Sequence, residues 1–500
     1  MLHKMETPMA PRPGPGERGD SSFARYGLLL GPSLALLVWL LPTPAALSPE
    51  AHRLAALTTL MATWWMTEAL PVAVTALVPL ALFPLVGIKA ATEVAPSYGH
   101  DLIWLFFGGF QLAFAVEASG LHKRVALFLV RVVGTKPERL VLGFMLAAGL
   151  LSMWLLNTST TLMMLPVGMA VAVAIEGEEP GPFGKTLMLG IAYAASVGGM
   201  GTFIGTAPNG VFAGVAREQG IEVSFGQWML FAAPLSVLLI FFIWAVLVWG
   251  LGKPKTWTRL GDADVTRGRL AGAGGRWSGA ELRVALIFGG AVAAWVGRRF
   301  VMDALELPSK SVTDATIAVT AALLLYMTPL PKAERSATRS NLLSWRDSQR
   351  TPWHILVLFG GGFALASSFQ STGLSVWVGQ QLALAVGGLP QVVVILAVVL
   401  MMTFLTEVTS NTATATVLLP VIAGLAAAMD QPPLILMVPA TLAASCAFML
   451  PVATPPNAIV YASGRFRLSE MARAGIWLNL GTAVLITIWT LTWGAWTLPT

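Results

Sequence analysis

Apolar runs of about 17 to 25 residues, long enough to cross a hydrocarbon core, recur along this chain between short polar breaks. In the first half they predict spans near 26–42, 53–69, 71–88, 102–119, 186–216 and 226–250. In the second half they predict spans near 281–298, 312–330, 354–371, 433–463 and 473–496. Two further apolar stretches, 139–175 and 390–428, hold a polar core: Leu156-Asn157-Thr158-Ser159-Thr160-Thr161 in one and Ser410-Asn411-Thr412-Ala413-Thr414-Ala415 in the other. Irregular backbone at membrane depth is tolerated only where it faces protein or a water-filled cavity. Both stretches are therefore read as re-entrant hairpins, giving eleven spans and two hairpins. Two of the spans are themselves interrupted, by Gly205-Thr206-Ala207-Pro208-Asn209-Gly210 and by Ala453-Thr454-Pro455-Pro456-Asn457.

Charge orients the pattern. With the N-terminus inside and each hairpin returning to its side of entry, only Arg53, Lys89, Arg217, Arg298, Arg299 and Lys310 of the 31 Lys and Arg residues fall outside. That is the asymmetry expected of cytoplasmic loops, and it places the C-terminus outside. Residues 1–25, rich in Pro, Gly and charge, read as a disordered cytoplasmic tail, and the charged, Gly-rich segment 251–280 reads as a cytoplasmic linker between halves.

Composition narrows the class. At 56% hydrophobic and 11% charged residues, against about 25% charged in soluble domains, the chain is an all-α polytopic membrane protein. Its basic excess follows from orientation and implies no nucleic-acid partner. The single cysteine, Cys446, excludes an intramolecular disulfide and reads as a small packing residue; the five histidines are scattered, without metal-ligand spacing. An intramembrane enzyme would need a nucleophile with a base, or a metal cluster, and no such constellation stands out.

The halves repeat. Gly108-Gly109-Phe110, Leu112 and Gly120-Leu121 recur as Gly361-Gly362-Phe363, Leu365 and Gly373-Leu374. Asn157-Thr158 recur as Asn411-Thr412, and Thr206, Pro208 and Asn209 as Thr454, Pro456 and Asn457. Residues 26–250, a first helix followed by one repeat, and 281–500, the second, are expected to be inverted copies, an arrangement that places substrate near the midplane between broken helices. Hairpin tips and helix breaks present free N–H groups that favour anions and free carbonyls that favour Na+. No Lys or Arg lies near either motif, so an anion there needs amides, helix dipoles and co-bound cations.

Other residues carry two readings. Asn157 and Asn411 either bind ligand or hydrogen-bond between helices, and Thr206 and Thr454 either bind ligand or cap a broken turn. Glu407 is the only acid in the second hairpin and reads as a proton-coupling group or a structural partner. Glu117 is expected to pair with Lys123 and Arg124, Asp314 to sit at the outer end of its span, and Trp64, Trp65, Trp493 and Trp496 to anchor at the membrane interface.

The paired hairpin motifs, Thr-Glu-x-x-Ser-Asn-Thr-Ala-Thr at 406–414, the two Pro-Asn breaks and Gly-Leu-His-Lys-Arg at 120–124 resemble the divalent-anion/sodium symporter family from about residue 50 onward. The resemblance implies a homodimer in the bilayer, in a bacterial inner (plasma) membrane, each protomer having a scaffold and an elevator-like transport domain. It implies Na+ as coupling ion, no organic cofactor, and a small anion as substrate: a di- or tricarboxylate such as succinate, or sulfate. By position, one Na+ site would use Ser152, Asn157 and the Gly205 carbonyl, and a second Thr406, Asn411 and the carbonyls of Thr409 and Ala453. Substrate would lie against Asn157, Thr158, Thr206, Ser410, Asn411, Thr412, Thr454 and Pro455. The sequence departs from the pattern at Leu156, where the first motif has serine, and at Ala207, where the break has its first proline. Some relatives of this kind are sodium-independent exchangers, the alternative to symport.

Overall fold

The structure is a computed structural model, described here for residues 22–497 except 45, 135, 253–275, 305, 307, 309, 310, 336–338 and 387. Most of the expected tail and most of the expected linker lie outside the described residues; Ser22–Arg25 open the first helix. Among the described residues the regular secondary structure is helical, apart from one isolated bridge between Pro329 and Asn341. Seven of its helices are long and apolar enough to cross a membrane.

The first group of helices runs α1 (Ser22–Leu40), α2 (Pro49–Thr67), α3 (Val72–Thr75), α4 (Val78–Leu85), α5 (Ala91–Val94) and α6 (Asp101–Ser119). Ser48 starts α2 by accepting from Ala51 N–H at 3.1 Å, ahead of a proline that needs no donor. The span expected at 71–88 is two short helices. Ala76, at the break, gives its carbonyl to Tyr98 Oη at 2.5 Å, which satisfies one of the acceptors that the break leaves free.

Helix α6 ends at Gly120, whose φ of +82° is open to glycine and strained for side-chained residues, and the chain turns straight into α7 (Leu121–Val133). Then come α8 (Pro137–Ser152) and α9 (Asn157–Glu176), the two helices of the stretch expected to form the first hairpin, followed by α10 (Pro182–Gly199), α11 (Ala207–Glu218) and α12 (Phe225–Ala245). The second half runs α13 (Gly279–Ala304), α14 (Asp314–Met327), α15 (Trp345–Ser348) and α16 (Trp353–Thr372). At Gly373, φ +76°, the same turn leads into α17 (Leu374–Val386). The stretch expected to form the second hairpin is α18 (Gln391–Leu405) and α19 (Asn411–Ala428), and α20 (Leu434–Ala443), α21 (Pro455–Tyr461) and α22 (Leu468–Thr492) follow. Helices α7 and α17 are elements that the apolar runs did not announce. In α7, Lys123, Arg124 and Arg131 interrupt the apolar positions, and Leu121, Ala126 and Val130 are buried.

Two sets of helices can be followed, joined where α16 packs on α11 and α19 and where α2 packs on α19. Helix α6 lies along α14, α13 touches both, and α16 packs on α2, α3 and α4. In the other group α10 packs against α8, α9 and α12, while α18, α20 and α22 pack on one another and α19 packs on α20. The halves cross within this second group: α9 packs on α21, and α19 packs on α11. Helices α7 and α17 sit between the groups, each following α6 or α16 and packing on a hairpin arm, α8 or α19.

Two side-chain expectations are corrected, those for Glu117 and Trp65. Glu117 pairs with Arg350 (2.9 Å to each carboxylate oxygen), 233 residues away, and Arg124 pairs with Glu281 at 2.8 Å. Trp65 is 1% exposed and donates to Val72 O at 3.0 Å, so it is a core residue that closes the α2–α3 corner. Trp496, at 88% exposed, remains on the surface. Asp314 starts α14, where it accepts from Phe225 N–H (2.9 Å) and pairs with Arg298 (3.2 Å). Cys446 is buried and free.

Candidate functional site

Each hairpin turns at its polar motif. Leu156 and Ser410 are the N-caps of α9 and α19, both in extended conformation, and neither side chain caps its helix. The first-turn N–H groups of two helices of 20 and 18 residues thus begin at Asn157 and Asn411 without a capping side chain. Thr158 and Thr412 are the second residues of these helices, half-buried like the asparagines.

Around Asn157 the structure gathers oxygens. The amide end facing inward lies 2.6 Å from Ser152 Oγ and 3.2 Å from the carbonyl oxygens of Ala195 and Gly205. With nitrogen turned inward, the amide donates to all three. With Oδ1 turned inward, it accepts from the Ser152 hydroxyl and faces the two carbonyl oxygens, a set of oxygens of the type that suits a hard cation. Glycines make this approach possible: a Cβ at Gly205 would stand 2.4 Å from Gly199 O and 2.9 Å from Ser152 O, and one at Gly199 would stand 2.6 Å from Asn157 Oδ1. Ser152, Asn157 and Gly205, the set that the family resemblance implies, lie close together here, with Ala195 and Gly199 beside them.

The second hairpin holds Thr406, Thr409 and Asn411 within one turn. Thr406 is fully buried, and its Oγ1 shares its donor between Met402 O and Thr403 O, both at 3.0 Å. Thr409 Oγ1 bonds Leu405 O and Thr414 Oγ1, each at 2.7 Å. Asn411 Oδ1 is buried without a hydrogen-bond partner, an acceptor with capacity to spare. Ala453 belongs to the break between α20 and α21, 6% exposed, its N–H bonded to Leu450 O at 3.2 Å. These residues fit a hard cation by donor type, since all of them offer oxygens.

The threonines divide. Thr454 caps α21, accepting from Asn457 N–H at 3.2 Å, whereas Thr206, the N-cap of α11, makes no side-chain cap bond. Pro455 opens α21 at an exposed position.

A model of the sodium:sulfate symporter transmembrane region matches residues 25–498. The chain belongs to the divalent-anion/sodium symporter family. Among curated proteins it is similar to the sodium-dependent dicarboxylate transporter SdcS of Staphylococcus saprophyticus, 40% identical over 471 residues, 92% of this chain and 90% of the relative. The transporter of the same name from Staphylococcus aureus is 39% identical over 469 residues, 92% of this chain and 89% of the relative. In fold it is similar to the YdaH transporter of Alcanivorax borkumensis, with a TM-score of 0.58 at 16% identity over 95% of this chain and 99% of that one. It is also similar to MtrF of Neisseria gonorrhoeae, with a TM-score of 0.58 at 14% identity over 82% and 86%.

In this symporter-family chain two asparagines do more than motif reading assigned to them. Asn209 Nδ2 donates across the first break to the carbonyls of Gly199 (3.2 Å), Met200 (3.3 Å) and Thr202 (2.7 Å). Asn457 Nδ2 does the same across the second, to Ala447 and Leu450, both at 3.0 Å. Each ties the loop ahead of its short helix, and thereby shapes the backbone that carries Gly205 or Ala453. Their repetition in the sequence was the signal; their partners, up to ten residues back, appear only in the fold.

Proposed function

We propose that this protein is a secondary transporter that carries a small dicarboxylate across the membrane together with Na+, using the two hairpin tips and the two helix breaks as its site. One observation carries the reading: two long helices begin, uncapped, at matching Asn-Thr pairs, and the first of them begins beside a nest of oxygens. Each helix end contributes about +0.5 elementary charge, so the two supply about +1. A dicarboxylate carries two negative charges, and the remainder is provided by co-transported cations rather than by Lys or Arg. The similarity to sodium-dependent dicarboxylate transporters over nine-tenths of the chain supports the same substrate class.

In this reading Asn157, Thr158, Ser410, Asn411 and Thr412 meet the carboxylates with backbone and side-chain donors, and Thr206, Thr454 and Pro455 close the opposite wall. One Na+ is held by Ser152, Asn157 and the carbonyl of Gly205, and another by Thr406, Asn411 and the carbonyls of Thr409 and Ala453. Bound Na+ turns the side-chain oxygens of Asn157 and Asn411 toward itself, which leaves their amide nitrogens for the anion. Cation and anion thus organise the same two side chains, the physical basis of coupling. Access alternates when the hairpin group moves against the α6–α14 group as an elevator, with α7 and α17 as the connecting arms. The halves are inverted repeats, the N-terminus is cytoplasmic, the location is the bacterial inner membrane, and two copies pair through the α6–α14 group.

Counterflow in proteoliposomes tests the reading. Vesicles preloaded with unlabelled succinate, citrate, 2-oxoglutarate or sulfate are diluted into labelled succinate with Na+ or K+ outside. Dicarboxylates are expected to drive uptake in Na+ and not in K+. Uptake that ignores the cation but requires internal anion identifies an exchanger instead.

A further inference from the structure

Glu407 lies in the turn between α18 and α19, 3% exposed, and it receives four hydrogen bonds. Oε1 accepts from Phe448 N–H (2.7 Å), Met449 N–H (2.9 Å) and Asn479 Nδ2 (2.7 Å), and Oε2 accepts from Leu450 N–H (3.1 Å). Four donors and no acceptor suit an ionised carboxylate, which only accepts. The three backbone donors belong to the break between α20 and α21, so the side chain fastens the second hairpin turn to that break.

The fastening leads to the site through one residue. Leu450 gives its N–H to Glu407, and its carbonyl accepts from Ala453 N–H (3.2 Å) and Asn457 Nδ2 (3.0 Å). Ala453, which offers a carbonyl to the second cation, therefore stands one hydrogen bond from a residue that Glu407 holds. The first half makes the same join without charge. Met153 stands at the position matching Glu407, its carbonyl accepts from Thr202 Oγ1, and its side chain lies against Gly201, where a Cβ would meet Met153 Cε at 2.9 Å. Thr202 matches Leu450 in the repeat.

We propose that Glu407 is a positioning residue: it holds the second break against the second hairpin and so fixes the reach of the Ala453 carbonyl toward Na+. The proposal rests on the Na+ reading above and adds an inequality between the halves. The second cation site is braced by a carboxylate, the first by a hydroxyl bond and packing.

The test uses the full chain in proteoliposomes, comparing the parent with Glu407→Gln and Asn479→Ala. The glutamine turns a donor toward one of the N–H groups. Exchange of the 448–450 amides is expected to accelerate, and the Na+ concentration for half-maximal uptake to rise at least about tenfold, as expected for one lost charge-assisted bond. The maximal rate at saturating Na+ stays within about twofold of the parent, a split that general damage to the fold does not produce. Asn479→Ala removes one donor of the four and shifts the Na+ curve in the same direction by less; it keeps the test available if Glu407→Gln fails to fold. An unchanged Na+ curve in a variant whose 448–450 amides exchange faster overturns the proposal, as does a lower maximal rate with no shift along the Na+ axis. Failure of the underlying reading shows separately, in a parent protein whose uptake ignores Na+.

Discussion

Gly205→Ala is the sharpest single probe of the first cation nest. The added methyl would lie 2.4 Å from Gly199 O, 2.9 Å from Gly199 Cα and 2.9 Å from Ser152 O. Carbon–oxygen contacts in proteins settle at about 3.3 Å or more, so the two backbone segments must separate by about 0.9 Å. No flexible side chain is available to yield, because every obstructing atom is backbone. Overpacking of this kind costs about 1–3 kcal/mol. Borne by the cation site, that weakens Na+ by about 5- to 150-fold. Gly168→Ala is the control: its methyl meets Ile191 Cδ1 at 2.8 Å and Met188 Cε at 3.1 Å, the ends of side chains that can rotate. The assay is labelled succinate uptake into proteoliposomes over a Na+ series. Gly205→Ala is expected to move the activation curve to higher Na+ or abolish uptake, and Gly168→Ala to leave it near the parent's. A Gly205→Ala curve within twofold of the parent refutes the nest as a coupling site.

Two further predictions concern the motifs themselves. Asn157→Ala and Asn411→Ala should each abolish saturable uptake while the protein still inserts and elutes like the parent by size-exclusion chromatography; uptake within twofold of the parent in both would remove the hairpin tips from the site. Leu156→Ser should shift the Na+ activation curve to lower concentration by restoring an oxygen beside Asn157, whereas Ser410→Leu should impair it severely; because neither side chain caps its helix, both exchanges read ligand binding rather than helix stability, and thermal melting should change little.

The long apolar helices and the polar breaks inside the two expected hairpin stretches are legible in the sequence because the membrane leaves the backbone few choices. The pattern predicts eleven spans, however, and seven helices of spanning length are found among the described residues. Asn157 and Asn411 announced themselves because a polar run in apolar surroundings needs a reason. Helix α7 escaped because Lys123, Arg124 and Arg131 interrupt its apolar run, and α17 because Gly373 appeared to end a span rather than begin a second helix. The break at Ala76 escaped because a carbonyl satisfied by Tyr98 leaves no local trace. Glu407 was harder, since repeat logic directs attention to matched residues and its counterpart is Met153. Pairings such as Glu117 with Arg350 join residues 233 apart, and short-range charge arithmetic favours nearer candidates that the helix geometry then separates.

The central claim is that cation and dicarboxylate move together through one site. The direct measurement is simultaneous uptake of labelled Na+ and labelled succinate into the same proteoliposomes, with no anion inside. The account predicts that succinate drives Na+ entry and Na+ drives succinate entry, with both fluxes lost in Asn157→Ala. Succinate entry without accompanying Na+, or entry only when an anion leaves in exchange, would contradict it.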